Sequence, residues 1–248
     1  MHRPIASSSA RLAAALLGTC VLAAPIASCA DTLSLGMTYI IAHDHNTDLA
    51  QTAPAPNNAG GNGSTLTPSG LNYHTQPMHT FLLTYSLELN DHLRLEGIGG
   101  IPPQFSAKGV RNPGTLPDGR LYDGQTLLKG TAVPIIGFME YHFREPGQIR
   151  PYVGLGYWYT RFVRTSMTDA GNNVSGGQTR VDMKSTSGGG YVLGTAFPVT
   201  SDSSVVFAFS SPFKLTTHIR TSTQGGLVRE SDVDLGLAMY SLLYRLDI

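Results

Sequence analysis

Between residues 149 and 160, apolar or aromatic side chains occupy every odd position (Ile149, Pro151, Val153, Leu155, Tyr157, Tyr159). The even positions (Arg150, Tyr152, Gly154, Gly156, Trp158, Thr160) mix charge, hydroxyl and glycine. A period of two is the mark of a strand with one apolar face. The same alternation recurs at 31–43, where Leu33, Leu35, Met37, Tyr39 and Ile41 oppose Thr32, Ser34, Gly36, Thr38 and Ile40. It returns at 79–89, 92–101, 131–143, 187–199, 204–219 and 232–248, which makes eight predicted strands. On the strand at 204–219, Val205, Phe207, Phe209, Phe213 and Leu215 are placed on one face.

The connections carry a second pattern. Short turns at Asn90-Asp91, 144–148 and 200–203 alternate with long polar stretches at 44–71, 104–130, 166–183 and 221–231. A strand of about 10 residues crosses a bilayer when tilted by about 45°, and outer-membrane barrels carry short turns at one end and long loops at the other. A soluble sandwich does not usually gather its long connections at one end. The expected fold is therefore all-β, an eight-stranded antiparallel up-and-down transmembrane barrel with short periplasmic turns and four long extracellular loops. Tyr85, Tyr141, Phe143, Phe207 and Tyr244 fall near the periplasmic boundary as an aromatic girdle.

Composition agrees with a membrane barrel. Only 14% of the 248 residues are charged, against 28 Gly, 11 Tyr and 9 Phe. Residues 1–30 read as a secretory signal peptide: Arg3 and Arg11 are basic, 12–26 is mainly apolar, and Ser28-Cys29-Ala30 offers small residues for cleavage before Asp31. Ile26-Ala27-Ser28-Cys29 also fits a lipoprotein signal in which Cys29 becomes the lipidated first residue. Residues 31–248 form the barrel domain. Cys20 is lost in either case, so no internal disulfide is possible. The 17 basic residues less Arg3 and Arg11 leave 15 against 17 acidic, and this balance gives no reason to expect nucleic acid as a partner. No run of 18 apolar residues follows the signal, so a helical span is not expected.

Strand direction sets the height of each inward side chain. Glu88, Arg94, Glu96, Glu140, His142, Arg150, Arg245 and Asp247 all lie close to the periplasmic end, where buried charges must pair into a plug. Higher up the inward set becomes apolar: Ile40, Leu82, Ile98, Ile136, Phe138 and the sole tryptophan, Trp158. Such a lining suits an apolar ligand rather than ions or sugars; a dry packed core is the competing reading. Gly36, Gly154, Gly156, Gly188, Gly190 and Gly194 are expected to leave room inside. Pro77, Pro102, Pro103 and Pro134 fall on strands two to four, roughly 25 Å above their turns. Proline donates no ladder bond, so a lateral opening is expected in that wall.

Three runs carry a family likeness: Leu95-Glu96-Gly97-Ile98-Gly99-Gly100-Ile101-Pro102, Val133-Pro134 leading to Glu140-Tyr141-His142-Phe143, and Arg150-Pro151-Tyr152-Val153-Gly154-Leu155-Gly156 with Tyr159-Thr160. They resemble the OmpW family of outer-membrane barrels, AlkL-like members included. The resemblance implies a bacterial outer-membrane protein, not an enzyme and with no cofactor or metal, that passes small apolar molecules through a hydrophobic lumen to a lateral exit. It implies outer-membrane lipid and the barrel assembly machinery as partners. Such barrels usually end in an aromatic, and the last residue here is Ile248.

Two other functions compete. A lipid A-modifying barrel enzyme would draw a base, or a weak metal site, from His43-Asp44-His45 with His74 or His79, although no serine is tied to them by motif. A structural or adhesive barrel would use its loops as receptor ligands.

Overall fold

The computed structural model describes residues 31–46, 50–52, 66–68, 71–111, 123–175, 177–223 and 228–248. The expected signal peptide and Cys29 lie outside these. In chain order the elements begin with β1 (Asp31–Asn46), β2 (Ala50–Thr52), β3 (Leu66–Pro68), β4 (Leu71–Thr75), β5 (Met78–Glu88), β6 (Leu93–Gly100) and β7 (Gln104–Arg111). There follow β8 (Thr126–His142), β9 (Arg150–Met167), a short helix α1 (Asp169–Ser175), β10 (Thr179–Met183) and β11 (Thr186–Thr200). β12 (Ser203–Pro212), β13 (Thr216–Thr223) and β14 (Val228–Asp247) complete the chain.

Eight of these strands close a ring in the order β1, β5, β6, β8, β9, β11, β12, β14, every neighbour antiparallel. The seam between first and last strands is fully zipped, from Thr32 opposite Asp247 to Asn46 opposite Val233. Closure leaves the ring without an edge, the condition for sheet to exist in hydrocarbon.

Alternation decides which side chains meet lipid. Leu35, Phe81, Leu95, Ile135, Leu155, Leu193, Phe207 and Leu242 are exposed on the outer face, whereas Thr38, Leu82, Glu96, Ile136, Gly154, Val192, Val206 and Leu243 are buried within. Soluble monomers rarely expose apolar area of this extent. Low on the wall, Tyr141 and Phe143 meet edge-on at 5.3 Å and Phe197 and Phe207 at 5.9 Å. A second aromatic patch, not anticipated from sequence, joins Tyr191, Phe209, Phe213 and Tyr240 across β11, β12 and β14.

The wall is taller than the alternation suggested. The stretches 44–71, 104–130, 166–183 and 221–231, read above as polar loops, contain β2, β3, β7, α1, β10 and parts of β1, β4, β8, β9, β13 and β14. β7 pairs β8 and β4, and β10 pairs β13, which pairs β14, so two sheet extensions stand above the ring. They bury a separate cluster of Phe105, Ala107, Leu128, Val181, Ile219 and Val233. The expected seventh strand is also two strands. Its break at 213–215 reverses the alternation, so Leu215 points inward, 1% exposed, although it was placed with outward Phe213.

Candidate functional site

The lumen has two storeys. The lower one is ionic: three guanidiniums (Arg94, Arg150, Arg245) share it with three carboxylates (Glu88, Glu96, Glu140), all but Glu88 buried. Glu88, half-buried at the end of β5, pairs with Arg94 and accepts from Arg150 Nη1 at 2.8 Å. Arg150 also donates to the carbonyls of Arg144 (2.9 Å) and Asp91, which ties it to two periplasmic turns. Glu96 accepts from Ser86 (3.2 Å), Thr84 (3.4 Å) and Arg245 (3.4 Å). His142 Nε2 lies 3.0 Å from Glu140, and its ring stacks on Tyr152 at 4.7 Å. Tyr152 was not among the expected site residues; its even position on the strand that holds Arg150 and Trp158 was the available signal. Asp247 lies at the outer lip of this floor: it is exposed, makes no ion pair among the described residues, interacts electrostatically with Arg94, Glu88 and Arg245, and donates its backbone N–H to the Asp202 carbonyl.

The upper storey is apolar. Ile40, Leu82, Ile136, Phe138 and Trp158 are buried together, and half-buried Ile98 packs against them. Phe138 and Trp158 meet edge-on at 6.3 Å. Val192, Val206, Leu215, Met239 and Leu243 complete the layer from β11, β12, the β12–β13 break and β14, where no apolar lining residue was expected.

The inward glycines do not leave open space. A Cβ at Gly156 would strike the Phe138 ring and the Gly137 carbonyl, one at Gly190 would strike Trp158, and one at Gly194 would strike Tyr152. Each glycine lets an aromatic from the neighbouring strand lie flat on the wall, so the glycines admit large side chains instead of solvent.

The four prolines lie where the wall changes partners. The β6–β8 ladder ends at Ile98 opposite Ile136, and β8 resumes pairing with β7 only at Thr131 opposite Gln104. Pro102, Pro103 and Pro134 fill this gap, and Ala132 N–H donates to the Pro103 carbonyl across it at 3.0 Å. The chain leaves the ladder at Gly100, whose φ of 141° and contact with the Phe81 carbonyl exclude a side chain. Pro77 separates β4 from β5 on the adjoining side.

A cavity of about 70 Å³ joins lumen to wall at this point. Ile40, Leu82, Ile136 and Trp158 line it from inside, and Ile101, Pro102, Pro103, Val133 and Pro134 from the wall. A second cavity of about 60 Å³ lies above, among Phe105, Leu128, Phe162, Met183, Ile219 and Val233. Met78, Ala132, Thr160 and Leu237 border both cavities and stand between them.

The histidines that would serve an enzyme do not converge. His43 sits opposite Gly236 and His79 opposite Tyr39, four residues down the same strand and so about 13 Å away. His74 is exposed opposite Lys108 on β7. The side chains of Asp44 and His45 lie outside the described residues.

A closed antiparallel ring with an apolar outer face and a paired ionic interior defines the class: an eight-stranded outer-membrane β-barrel. The chain belongs to the OmpW family, whose family model matches residues 69–245, and it is accordingly a protein of the bacterial outer membrane. Its fold is similar to the crystal structure of the outer-membrane protein OprG from Pseudomonas aeruginosa, with a TM-score of 0.69 at 15% identity over 88% of this chain and 97% of that one. It is also similar to the solid-state NMR structure of the outer-membrane protein AlkL in DMPC lipid bilayers, with a TM-score of 0.58 at 13% identity over 100% and 97%. Among curated proteins none matches.

Proposed function

We propose that the protein is a conduit, not an enzyme, and carries small hydrophobic molecules from outside the cell into the outer membrane through the apolar upper storey. They enter at the cluster around Phe105 and Leu128, pass Met78 and Leu237, and leave sideways between β6 and β8. The observation that carries this reading is the cavity whose walls combine lumen side chains with the prolines at the ladder break. The ionic floor turns the path sideways, because an apolar molecule gains nothing by displacing paired charges. At about 70 Å³ the cavity holds only a few waters' worth of space, so each passage displaces Met78 or Trp158 from its packing.

The test is uptake of a radiolabelled alkane or aromatic hydrocarbon by bacteria expressing the chain. Ile136→Arg is expected to lower uptake by roughly tenfold, since an unpaired charge in an apolar passage repels an unsolvating solute. Trp158→Ala with Phe138→Ala should change uptake measurably. Wild-type uptake in all of these, with the barrel still folded by its heat-modifiable gel mobility, would sink the proposal. It would also leave an adhesive role for the extracellular end.

A further inference from the structure

The described cations at the extracellular rim differ in how they are paired, and exposed Arg180 and Lys184, on and beside β10, stand without an ion pair among the described residues. In the β12–β13 break and on β13 three are paired with carboxylates of β14: Lys214 with Asp234 (3.7 Å), Arg220 with Glu230 (3.3 Å) and His218 with Asp232 (2.8 Å). On β8 and β9, Lys129, Arg161 and Arg164 are all exposed, and none has an ion-pair or hydrogen-bond partner among the described residues. Lys129 and Arg161 continue the outward rows of their strands. Below Arg161 that row runs Leu155, Tyr157, Tyr159, and below Lys129 it runs Met139, Ile135, Val133, Thr131. Arg164 joins them because the β8–β9 register slips between Lys129 and Thr131, and Arg164 takes φ 53° at the slip.

The change from apolar to cationic marks the membrane boundary. Arg161 lies eleven residues above Arg150, roughly 26 Å at ~3.3 Å per residue and ~45° tilt, about the height of the apolar band of an outer-membrane barrel. The long connections put this end outside the cell, so the cations stand at the headgroups of the outer leaflet.

We propose that this face of β8 and β9 is a docking surface for the phosphorylated glycolipid of the outer leaflet, with its phosphates on Arg161, Arg164 and Lys129 and its acyl chains along Ile135, Leu155, Tyr157 and Tyr159. Charge complementarity favours a phosphate, which guanidinium binds with a two-pronged fork. Spacing favours two phosphates on a sugar headgroup over one on a glycerol. Lys129 stands four residues along β8 from Val133, the partner of Arg161, and so about 13 Å from it.

Binding of diphosphoryl lipid A, monophosphoryl lipid A and phosphatidylglycerol to the full-length protein in detergent, titrated by native mass spectrometry, tests this. Diphosphoryl lipid A is expected to bind tightest. Combining Lys129→Gln, Arg161→Gln and Arg164→Gln should weaken it about a hundredfold, at roughly fivefold per cation. Lys214→Gln, on the paired side, should leave it unchanged. Arg161→Gln alone, with its roughly fivefold loss, serves if the triple variant does not fold. Equal binding of phosphatidylglycerol, a loss of the same size in Lys214→Gln, or no loss in Arg161→Gln and the triple variant would each overturn the assignment. None of these readouts depends on hydrocarbon uptake.

Discussion

Gly156→Val is expected to prevent the barrel from closing. The added carbons would occupy the space of the Phe138 ring and press on the Gly137 carbonyl, which is backbone and has nowhere to move within the β8–β9 ladder. Overpacking against a fixed main chain costs about 3 kcal/mol or more, a large share of the stability of a domain of this size. The variant should lack the fast-migrating folded band in unheated gels and be depleted from the outer membrane. Gly137→Ala is the control: its side chain would point to lipid and meet only the Glu96 carbonyl at 3.8 Å, so the loss should stay under about 1 kcal/mol. If Gly156→Val folds with an unchanged urea midpoint, Phe138 does not pack as described.

Removing the Glu88 carboxylate should both destabilise the barrel and unseal its floor. Arg94 and Arg150 converge on that group and are 2% and 5% exposed, so Glu88→Ala leaves two buried cations facing each other. Breaking a buried pair from one side costs about 3 kcal/mol. Ion conductance of the purified protein in planar bilayers should rise, because the freed guanidiniums draw in water and counter-ions. Adding Arg94→Ala should recover part of the lost stability, since the repulsion goes with it. Wild-type conductance and stability in Glu88→Ala would show that the floor is sealed elsewhere.

Strand positions and facing were legible in the sequence because lipid imposes a strict period of two. Leu33 to Tyr39, Phe81 to Tyr85 and Tyr240 to Leu246 needed nothing beyond that alternation. It fails above the membrane, where strands meet water and no outer face need be apolar. β7, Gln-Phe-Ser-Ala-Lys-Gly-Val-Arg, alternates as cleanly as the ring strands, with Phe105 and Ala107 inward, but its short and polar outward residues read as loop. Leu215 was misplaced because the three-residue break at 213–215 resets the alternation without any mark in residue type. The charged floor was legible from strand direction for Glu88, Arg94, Glu96, Glu140, His142, Arg150 and Arg245. Asp247 stands at the lip of that floor, exposed because β14 ends there. The inward glycines were misjudged for a different reason: whether a missing side chain leaves a void depends on the neighbouring strand, which a single strand's pattern does not contain.

The floor also bears on how the ring finds its register. Arg245 sits on the last strand, and Glu96, its partner across the lumen, on the third strand of the ring. They meet only when β14 zips onto β1 with Arg245 opposite Ser34. A slip of two residues keeps every side chain on its correct face, so hydrophobic patterning cannot reject it. It would, however, carry the guanidinium about 7 Å along the wall and strand a buried charge. The ion pair therefore acts as a proofreading contact for closure, penalising the one class of misassembly that lipid cannot detect.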